Sequence, residues 1–320
     1  MHKKVKTISF ILPCLNEEGN IEIVYEKIMG IMKELNFHYE CIFINDGSVD
    51  QTLKIIKELS KTHSEIKYIS FTRNFGQQNA LAAGLKMASG DAVISLDCDM
   101  QNPPELITKF IDYWQIGYKV VTTSRIYMNK TKFFKRKSSE LFYKIFNVMS
   151  GLKISNGVAD FRLLDRDVVN IINLNHENDL FIRGIVEWYG FKQVCINYID
   201  NQRNSGVTNY SLKRMLCLGF NGIMSFSIKP LRLAFVCSVF FVILTLISIF
   251  YLFNFTEQRM SETSILMTLF LFSSALILFV LGVIGEYLGR IFIQSKERPQ
   301  YIIEECSKDF NSSNYENRKI

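Results

Sequence analysis

The sequence predicts an α/β fold: a nucleotide-binding type of mostly parallel sheet flanked by helices, followed by a C-terminal hairpin of two transmembrane helices. Three observations lead to this. Across the first 230 residues, short β-branched or aromatic runs alternate with helical patterns. Two later stretches, 233–256 and 263–285, contain no charged residue. Acidic and amide side chains collect directly after the apolar runs, where a parallel sheet gathers its ligands. The chain has 320 residues, with 48% hydrophobic and 21% charged, and its mean hydropathy is +0.10. That average fits neither a disordered chain nor a chain made up mostly of membrane spans, and the length suffices for a full core without disulfide or metal staples.

The first strand is expected at Thr7–Leu12. The residues before it are basic, but Pro13 and the pair Glu17-Glu18 end the apolar run after about eight residues, which marks a strand and not a signal peptide. Further strands are expected at Tyr39–Asn45, Ile66–Phe71, Ala92–Leu96 and Lys119–Thr123, with helices at Ile21–Leu35, Asp50–Thr62, Gly76–Ala88 and Pro104–Gln115. Each uncharged stretch reaches ~35 Å as a helix, enough to cross a hydrocarbon core of ~30 Å. Transmembrane helices are therefore expected at about 231–254 and 264–287 within the segment 231–289. Residues 1–210 form the N-terminal domain, 211–230 an amphipathic interface helix, and 290–320 a tail that is partly disordered beyond about Glu304. Lys213, Arg214, Lys229 and Arg232 precede the first span, and Arg290, Lys296 and Arg298 follow the second. The positive-inside rule then puts domain and tail in the cytosol.

The net charge of +6 is compatible with nucleic acid, anionic lipid or a phosphorylated substrate. Seven widely spaced cysteines without a CxxC pair, and four histidines, fit reduced thiols better than a disulfide framework or a zinc site. No GxGxxG follows the first strand and no GxxxxGK[ST] occurs, so the usual phosphate cradles of dinucleotide oxidoreductases and P-loop ATPases are missing.

The strand ends instead carry Asn16-Glu17, Asn45-Asp46-Gly47-Ser48 and Asp97-Cys98-Asp99-Met100-Gln101. Two aspartates two apart beside an apolar strand suit a hard divalent cation, which takes one or two carboxylates and fills its other positions with water and substrate phosphates. Taken alone, Asp-x-Asp more often describes a capping or solvated loop, and Asp46-Gly47-Ser48 an ordinary Asx turn.

Four blocks in this order, Ile11-Leu12-Pro13-Cys14-Leu15-Asn16-Glu17-Glu18, Asn45-Asp46-Gly47-Ser48-Val49-Asp50, Thr72-Arg73-Asn74-Phe75-Gly76 and Asp97-Cys98-Asp99-Met100-Gln101-Asn102-Pro103-Pro104, resemble a family 2 glycosyltransferase of GT-A (Rossmann-like) fold. Gly157 to Arg166, Arg203 to Ser211, the two-helix anchor and the closing Gly285-Glu286-Tyr287-Leu288-Gly289-Arg290, Arg298-Pro299 and Tyr301 resemble its polyprenyl-phosphate glycosyltransferase branch, which includes bactoprenol glucosyltransferases and dolichyl-phosphate mannosyltransferases.

The resemblance implies that Pro13, Asn16, Glu17 and Asp46 border the nucleoside, with Asp46 accepting from the base. It implies that Asp97, Asp99 and Gln101 hold Mg²⁺ or Mn²⁺ and the diphosphate. Arg125 and Arg136 would grip the acceptor phosphate, assisted by Lys137 and Arg203, because a guanidinium engages phosphate oxygens in a bidentate way. Asp160 would serve near the acceptor in positioning or as a base, or would form a salt bridge to Arg162. Where many relatives carry Gly-x-Ser-Lys, this chain reads Gly206-Val207-Thr208-Asn209, so what the lysine supplies to phosphate binding comes from Arg203 or Lys213, or is weaker.

The basic residues Lys119, Arg125, Lys130, Lys132, Lys135, Arg136 and Lys137 lie between Asp112 and Glu140 without an acid among them. Interleaved with Phe133, Phe134, Leu141, Phe142, Ile145 and Phe146, they suit a segment in the membrane interface facing an anionic leaflet. A nucleic-acid partner is not expected beside transmembrane helices and an acidic cleft.

The implied activity is inverting, metal-dependent transfer of one hexose, glucose from UDP-glucose by preference, to polyprenyl (undecaprenyl) phosphate on the cytosolic face of the plasma membrane. The product would be a lipid-linked donor for cell-surface polysaccharide such as O-antigen, and a homo-oligomer is the expected assembly. Left open are another nucleotide sugar (GDP-mannose, UDP-N-acetylglucosamine, UDP-galactose, a modified pentose), another lipid acceptor, and a non-catalytic membrane scaffold. The Gln-x-x-Arg-Trp motif of processive synthases is absent, which favours single addition.

Overall fold

The structure is a computed structural model that describes residues 6–126, 144, 146–151, 158–175, 181–199, 224, 227–255 and 262–307. It divides into two units. One is formed from residues 1–144, 152–210 and 299–320, the other from 145–151 and 211–298.

The first unit is an α/β sheet with helices. In chain order it contains β1 (Thr7–Cys14), α1 (Ile21–Leu35), β2 (His38–Asn45), α2 (Thr52–Thr62), β3 (Ile66–Phe71), α3 (Gln77–Met87), β4 (Ala92–Ser95), α4 (Leu106–Gln115), β5 (Val120–Ile126), β6 (Val158–Asp165), α5 (Arg166–Asn173), α6 (Ile182–Tyr189), β7 (Gln193–Ile199) and β8 (Ile303–Cys306). The strand order is β7-β5-β6-β4-β1-β2-β3-β8.

Strands β4, β1, β2 and β3 are parallel, with Ile11 opposite Ile42 and Ser95. The middle strands are apolar throughout, as expected where helices cover both faces: Ile8, Phe10, Ile11, Leu12 and Cys41 to Ile44 are all buried. Along α1, Ile21, Val24, Tyr25, Ile28 and Met32 recur at helical spacing and form its buried stripe. Asn36 ends that helix in the left-handed conformation, which asparagine tolerates better than most residues. Gly84 lets α3 lie directly on the sheet, since a Cβ there would sit 2.4 Å from Cγ2 of Ile11.

The sheet is mixed where a mostly parallel one is expected. Strand β6 lies antiparallel between β4 and β5, so β5 does not neighbour β4. Periodicity misses β6 because Asp160 and Arg162 interrupt its apolar run, yet both are buried and paired with each other. The Phe161 ring between them packs on Phe110 of α4 at 4.6 Å.

The tail also differs from expectation. Residues 303–306 form β8, antiparallel to β3, and Glu305 pairs with Lys57 at 2.5 Å. Its acidic composition reads as solvated tail, but an edge strand with one exposed face accommodates it.

The second unit contains α7 (Lys229–Phe255) and α8 (Glu262–Ser295), each longer than the span predicted for it. Both are long and apolar enough to cross a membrane. Their large apolar side chains, such as Phe250, Leu278 and Phe279, stay exposed, the pattern expected of helices that face lipid. Phe241 and Phe272 meet edge to face at 4.4 Å and join the two helices.

Candidate active site

The carboxyl ends of β1 and β2 are laced together. Asn16, in the left-handed region at φ 56°, accepts from the Val49 N–H through Oδ1 at 3.0 Å, while its own N–H donates to Ser48 Oγ at 3.0 Å. The Glu17 N–H donates to Thr52 Oγ1, and the Glu17 carboxylate accepts from Asn20 Nδ2 at 2.6 Å. Pro13 stands in register with Ile44, one residue before the β1 strand end.

Asp46 is buried, and both its oxygens receive backbone donors: Oδ1 accepts from Phe75 N–H at 2.7 Å and Oδ2 from Gly76 N–H at 3.0 Å. Burial raises its pKa, opposed by these two amides. Its contacts in this structure are therefore those of a loop anchor, where the resemblance implies an acceptor for the base. Gly47 makes the anchoring possible. It has φ 72°, and a Cβ there would lie 2.5 Å from the Arg73 carbonyl carbon and 2.6 Å from Asn74 N.

Asp97 and Asp99 follow β4. Asp97 Oδ1 accepts from Gln77 Nε2 of α3 at 2.7 Å. Asp99 Oδ1 accepts from the Gln101 N–H at 3.1 Å, with Met100 between them at φ 59°. The Asp97 carboxyl is pushed up to about 6 by burial first, then by the nearby charges of Asp160 and Asp99.

Gln101 Oε1 accepts from Arg125 Nη1 at 3.1 Å. The same guanidinium donates through Nε to Tyr198 Oη at 2.8 Å, and Tyr198 donates onward to Asn102 Oδ1 at 2.6 Å. Arg125 and Tyr198 stand opposite each other in the β5–β7 pair. Asn102 is fully buried, and its Nδ2 has no partner among the described residues.

Asp160 lies buried on β6. Arg183 Nε and Nη2 donate to its two oxygens at 2.8 and 2.7 Å, Arg162 Nη2 donates at 2.9 Å, and Gln78 Nε2 approaches at 3.5 Å. Burial opposes its charge, but Arg183 and then Arg162 hold the carboxyl well below the usual range. Arg162 itself is lowered to about 10 by burial. A carboxylate held this way is a poor proton acceptor and a good fixed charge, so of its expected roles these contacts are those of the ion pair.

A divalent cation fits the donor set at Asp97 and Asp99. Among the described residues no group of three His, Cys, Asp or Glu side chains converges on one point. Mg²⁺ and Mn²⁺ need no such cage when phosphates and water complete the shell. The carboxyl of Asp97 is bonded to a neutral amide and faced by Asp160 and Asp99, whose effect together with burial outweighs that of nearby Arg125 and Arg183, so added cationic charge is favourable there.

The structure thus brings Asp97, Asp99, Gln101, Arg125 and Asp160 into one electrostatic neighbourhood, with Asn16, Glu17 and Asp46 on the adjoining strand ends. Arg136, Lys137 and Arg203 lie outside the described residues. Sequence reasoning passed over Gln77, Gln78, Asn102, Arg183 and Tyr198. Gln77, Gln78 and Asn102 adjoin or fall within the quoted blocks, a usable signal, whereas Arg183 and Tyr198 are singled out only by the fold.

The family model Glycosyl transferase family 2 matches residues 9–172, and GtrB C-terminal hairpin matches residues 229–291. The chain is 39% identical over 299 residues to the uncharacterized glycosyltransferase YkcC of Bacillus subtilis, covering 92% of this chain and 93% of that one. It is 39% identical over 308 residues to the bactoprenol glucosyl transferase of Shigella phage SfV, covering 93% and 98%. Among solved structures, glucosyl-3-phosphoglycerate synthase from Mycobacterium tuberculosis, in complex with Mn²⁺, UDP-glucose and phosphoglyceric acid, aligns at 21% identity. That alignment has a TM-score of 0.45 and covers 68% of this chain and 78% of that one. With a family 2 match over half its length and relatives alike almost end to end, this chain is a glycosyltransferase and belongs to glycosyltransferase family 2, with the GtrB-type C-terminal hairpin.

Proposed function

We propose that the enzyme transfers a single hexose, glucose from UDP-glucose, to a polyprenyl phosphate, with inversion at the anomeric carbon. The reading rests on Asp97 and Asp99 lying beside Gln101, which accepts from Arg125, at the end of a strand from which the basic segment 127–137 continues. Relatives named bactoprenol glucosyl transferase, matched over more than nine-tenths of this chain, support both sugar and acceptor.

Asp97 and Asp99 would hold Mg²⁺ or Mn²⁺, which supplies Lewis-acid stabilisation of the departing diphosphate. The strand-end loops at Asn16, Glu17 and Asp46 border the nucleoside. Arg125, braced by Tyr198 and Gln101, serves the acceptor phosphate together with Arg136, Lys137 and Arg203.

A phosphate monoester with a second pKa of about 6 is anionic near neutrality and needs little deprotonation. Alignment and charge neutralisation then do most of the catalysis. The pairing of Asp160 with Arg183 and Arg162 agrees with this, since it leaves that carboxylate a fixed charge and not a base. The two apolar helices anchor the enzyme in the plasma membrane, and the basic residues flanking them favour a cytosolic catalytic domain.

The test is transfer of labelled sugar into the organic phase by detergent-purified protein, given undecaprenyl phosphate, Mg²⁺ or Mn²⁺ and a panel of UDP- and GDP-sugars. Metal-dependent labelling from UDP-glucose is expected. Labelling from another donor would reassign the sugar, and labelling only with a hydroxyl lipid would overturn the acceptor.

A further inference from the structure

Tyr301 belongs to the closing sequence singled out above, but the reaction as proposed makes no use of it. It stands between α8, which ends at Ser295, and β8, which begins at Ile303. Its ring stacks on Phe71, the last residue of β3, with centroids 4.9 Å apart and planes 19° from parallel. Next to the stack, the Thr72 N–H donates to the Ile302 carbonyl at 3.1 Å. The β3–β8 register shifts between Ser70 and Phe71, so the strand's last contacts fall where β3 becomes the 72–76 loop.

From Phe71 the contacts run on into the site. Phe71 meets Phe75 edge to face at 5.8 Å, and the Arg73 guanidinium lies 4.0 Å from the Phe75 ring centre. The Phe75 N–H is the 2.7 Å donor to Asp46. An unbroken series of contacts, Tyr301–Phe71–Phe75–Asp46, thus joins the segment after the second apolar helix to the strand end that borders the nucleoside. Arg73 and Asn74 between them are exposed, so the loop has little burial of its own to fix it.

We propose that Tyr301 is a positioning residue for the nucleotide-sugar site, clamping the 72–76 loop through Phe71 so that the Asp46 anchor is preformed before the donor binds. The nucleotide part of this rests on the function proposed above; the clamp does not. Preforming a loop removes its ordering cost from binding, so the effect belongs in donor affinity and leaves the acceptor untouched.

The experiment uses the full chain in detergent, with Tyr301→Ala, Tyr301→Leu (which keeps apolar bulk but cannot stack) and Tyr301→Phe. Hydrogen exchange of the peptide spanning 72–79 is read without nucleotide, with peptides from β1 and β4 as the control for global folding. A ring stack of ordinary strength predicts about three- to tenfold faster exchange of the loop in the Ala and Leu variants, and wild-type exchange in Phe. UDP with Mg²⁺ should bind about three- to tenfold more weakly to the same two variants, with the KM for undecaprenyl phosphate unchanged. Unchanged loop exchange in both variants would overturn the clamp. Faster exchange with unchanged UDP affinity would overturn its role in donor binding. A wild-type protein that exchanges as expected but binds neither UDP nor GDP would overturn the functional reading, and with it the nucleotide role of Tyr301.

Discussion

Both nitrogens on one edge of the Arg183 guanidinium, Nε and Nη2, donate to the carboxylate of Asp160, at 2.8 and 2.7 Å, across 23 residues of sequence. Arg162 closes the group from the same strand as Asp160 at 2.9 Å. The pairing turns a lone acid in an apolar strand into a permanently charged element of the site, and it ties α6 to β6.

Replacing Asp160 with Asn should therefore act on stability before chemistry. It leaves two guanidiniums facing a neutral amide, and breaking a buried pair in this way costs about 3–5 kcal/mol. The folded carboxyl holds its proton more weakly than an unfolded aspartate of pKa ~3.9, so its stabilisation is complete above that value and is lost as pH falls. Thermal unfolding should show a constant gap between wild type and Asp160→Asn from pH 7 to about 5, narrowing below about 4. A gap that widens in acid would contradict the pairing.

Gly47→Ala should loosen the donor loop. The backbone is left-handed at φ 72°, and the added Cβ would meet the Arg73 and Asn74 backbone at 2.5–2.6 Å. Backbone has no rotamer to yield, so the 72–76 loop must move and the Asp46 bonds to Phe75 and Gly76 lengthen. A destabilisation of about 1–3 kcal/mol is expected, with a raised KM for the sugar nucleotide and an unchanged KM for the lipid. Steady-state kinetics with each substrate varied in turn would settle the division.

The parallel half of the sheet was legible because its strands obey a simple rule, apolar runs bounded by helices, and Thr7–Leu12 and Ile66–Phe71 fall inside the observed β1 and β3. What escaped are elements whose polar residues are satisfied at a distance. Strand β6 carries Asp160 and Arg162 in its middle, and only their mutual pairing with Arg183 makes burial tolerable. Strand β8 reads as an acidic tail until Lys57 and the edge of β3 are placed beside it. The site was readable in its types of residue, less so in its partners: Asp46 looks like a free acceptor in sequence, yet backbone amides occupy both its oxygens.

Asp99→Ala should abolish turnover while leaving membrane extraction behaviour and thermal stability near wild type, because Asp99 bonds the amide of Gln101 in an adjacent turn and is only partly buried. Loss of one carboxylate from a site that has two should also weaken Mn²⁺-dependent UDP binding. Titration of UDP with and without Mn²⁺ checks this: a variant that keeps metal-dependent binding and transfer would remove Asp99 from the metal site.

Arg125 tests the polar network as a unit. Its guanidinium spans Tyr198 Oη at 2.8 Å and Gln101 Oε1 at 3.1 Å, a fork that a lysine ammonium on a flexible stem does not reproduce. Arg125→Lys keeps the charge, so a purely electrostatic role predicts near-normal transfer. A geometric role predicts loss of at least one charge-assisted bond, worth about 1.5–3 kcal/mol, or roughly a 10- to 100-fold fall in kcat/KM. The fork favours the second outcome. Tyr198→Phe then separates bracing from contact with substrate: it retains the guanidinium but removes the hydroxyl that accepts from Arg125 and donates to buried Asn102. It should cost about 1 kcal/mol in stability together with a smaller fall in kcat/KM than Arg125→Lys. Equal losses in the two variants would mean that the network acts only through the Tyr198 hydroxyl, and wild-type activity in Arg125→Lys would leave Arg125 with its charge as its sole contribution.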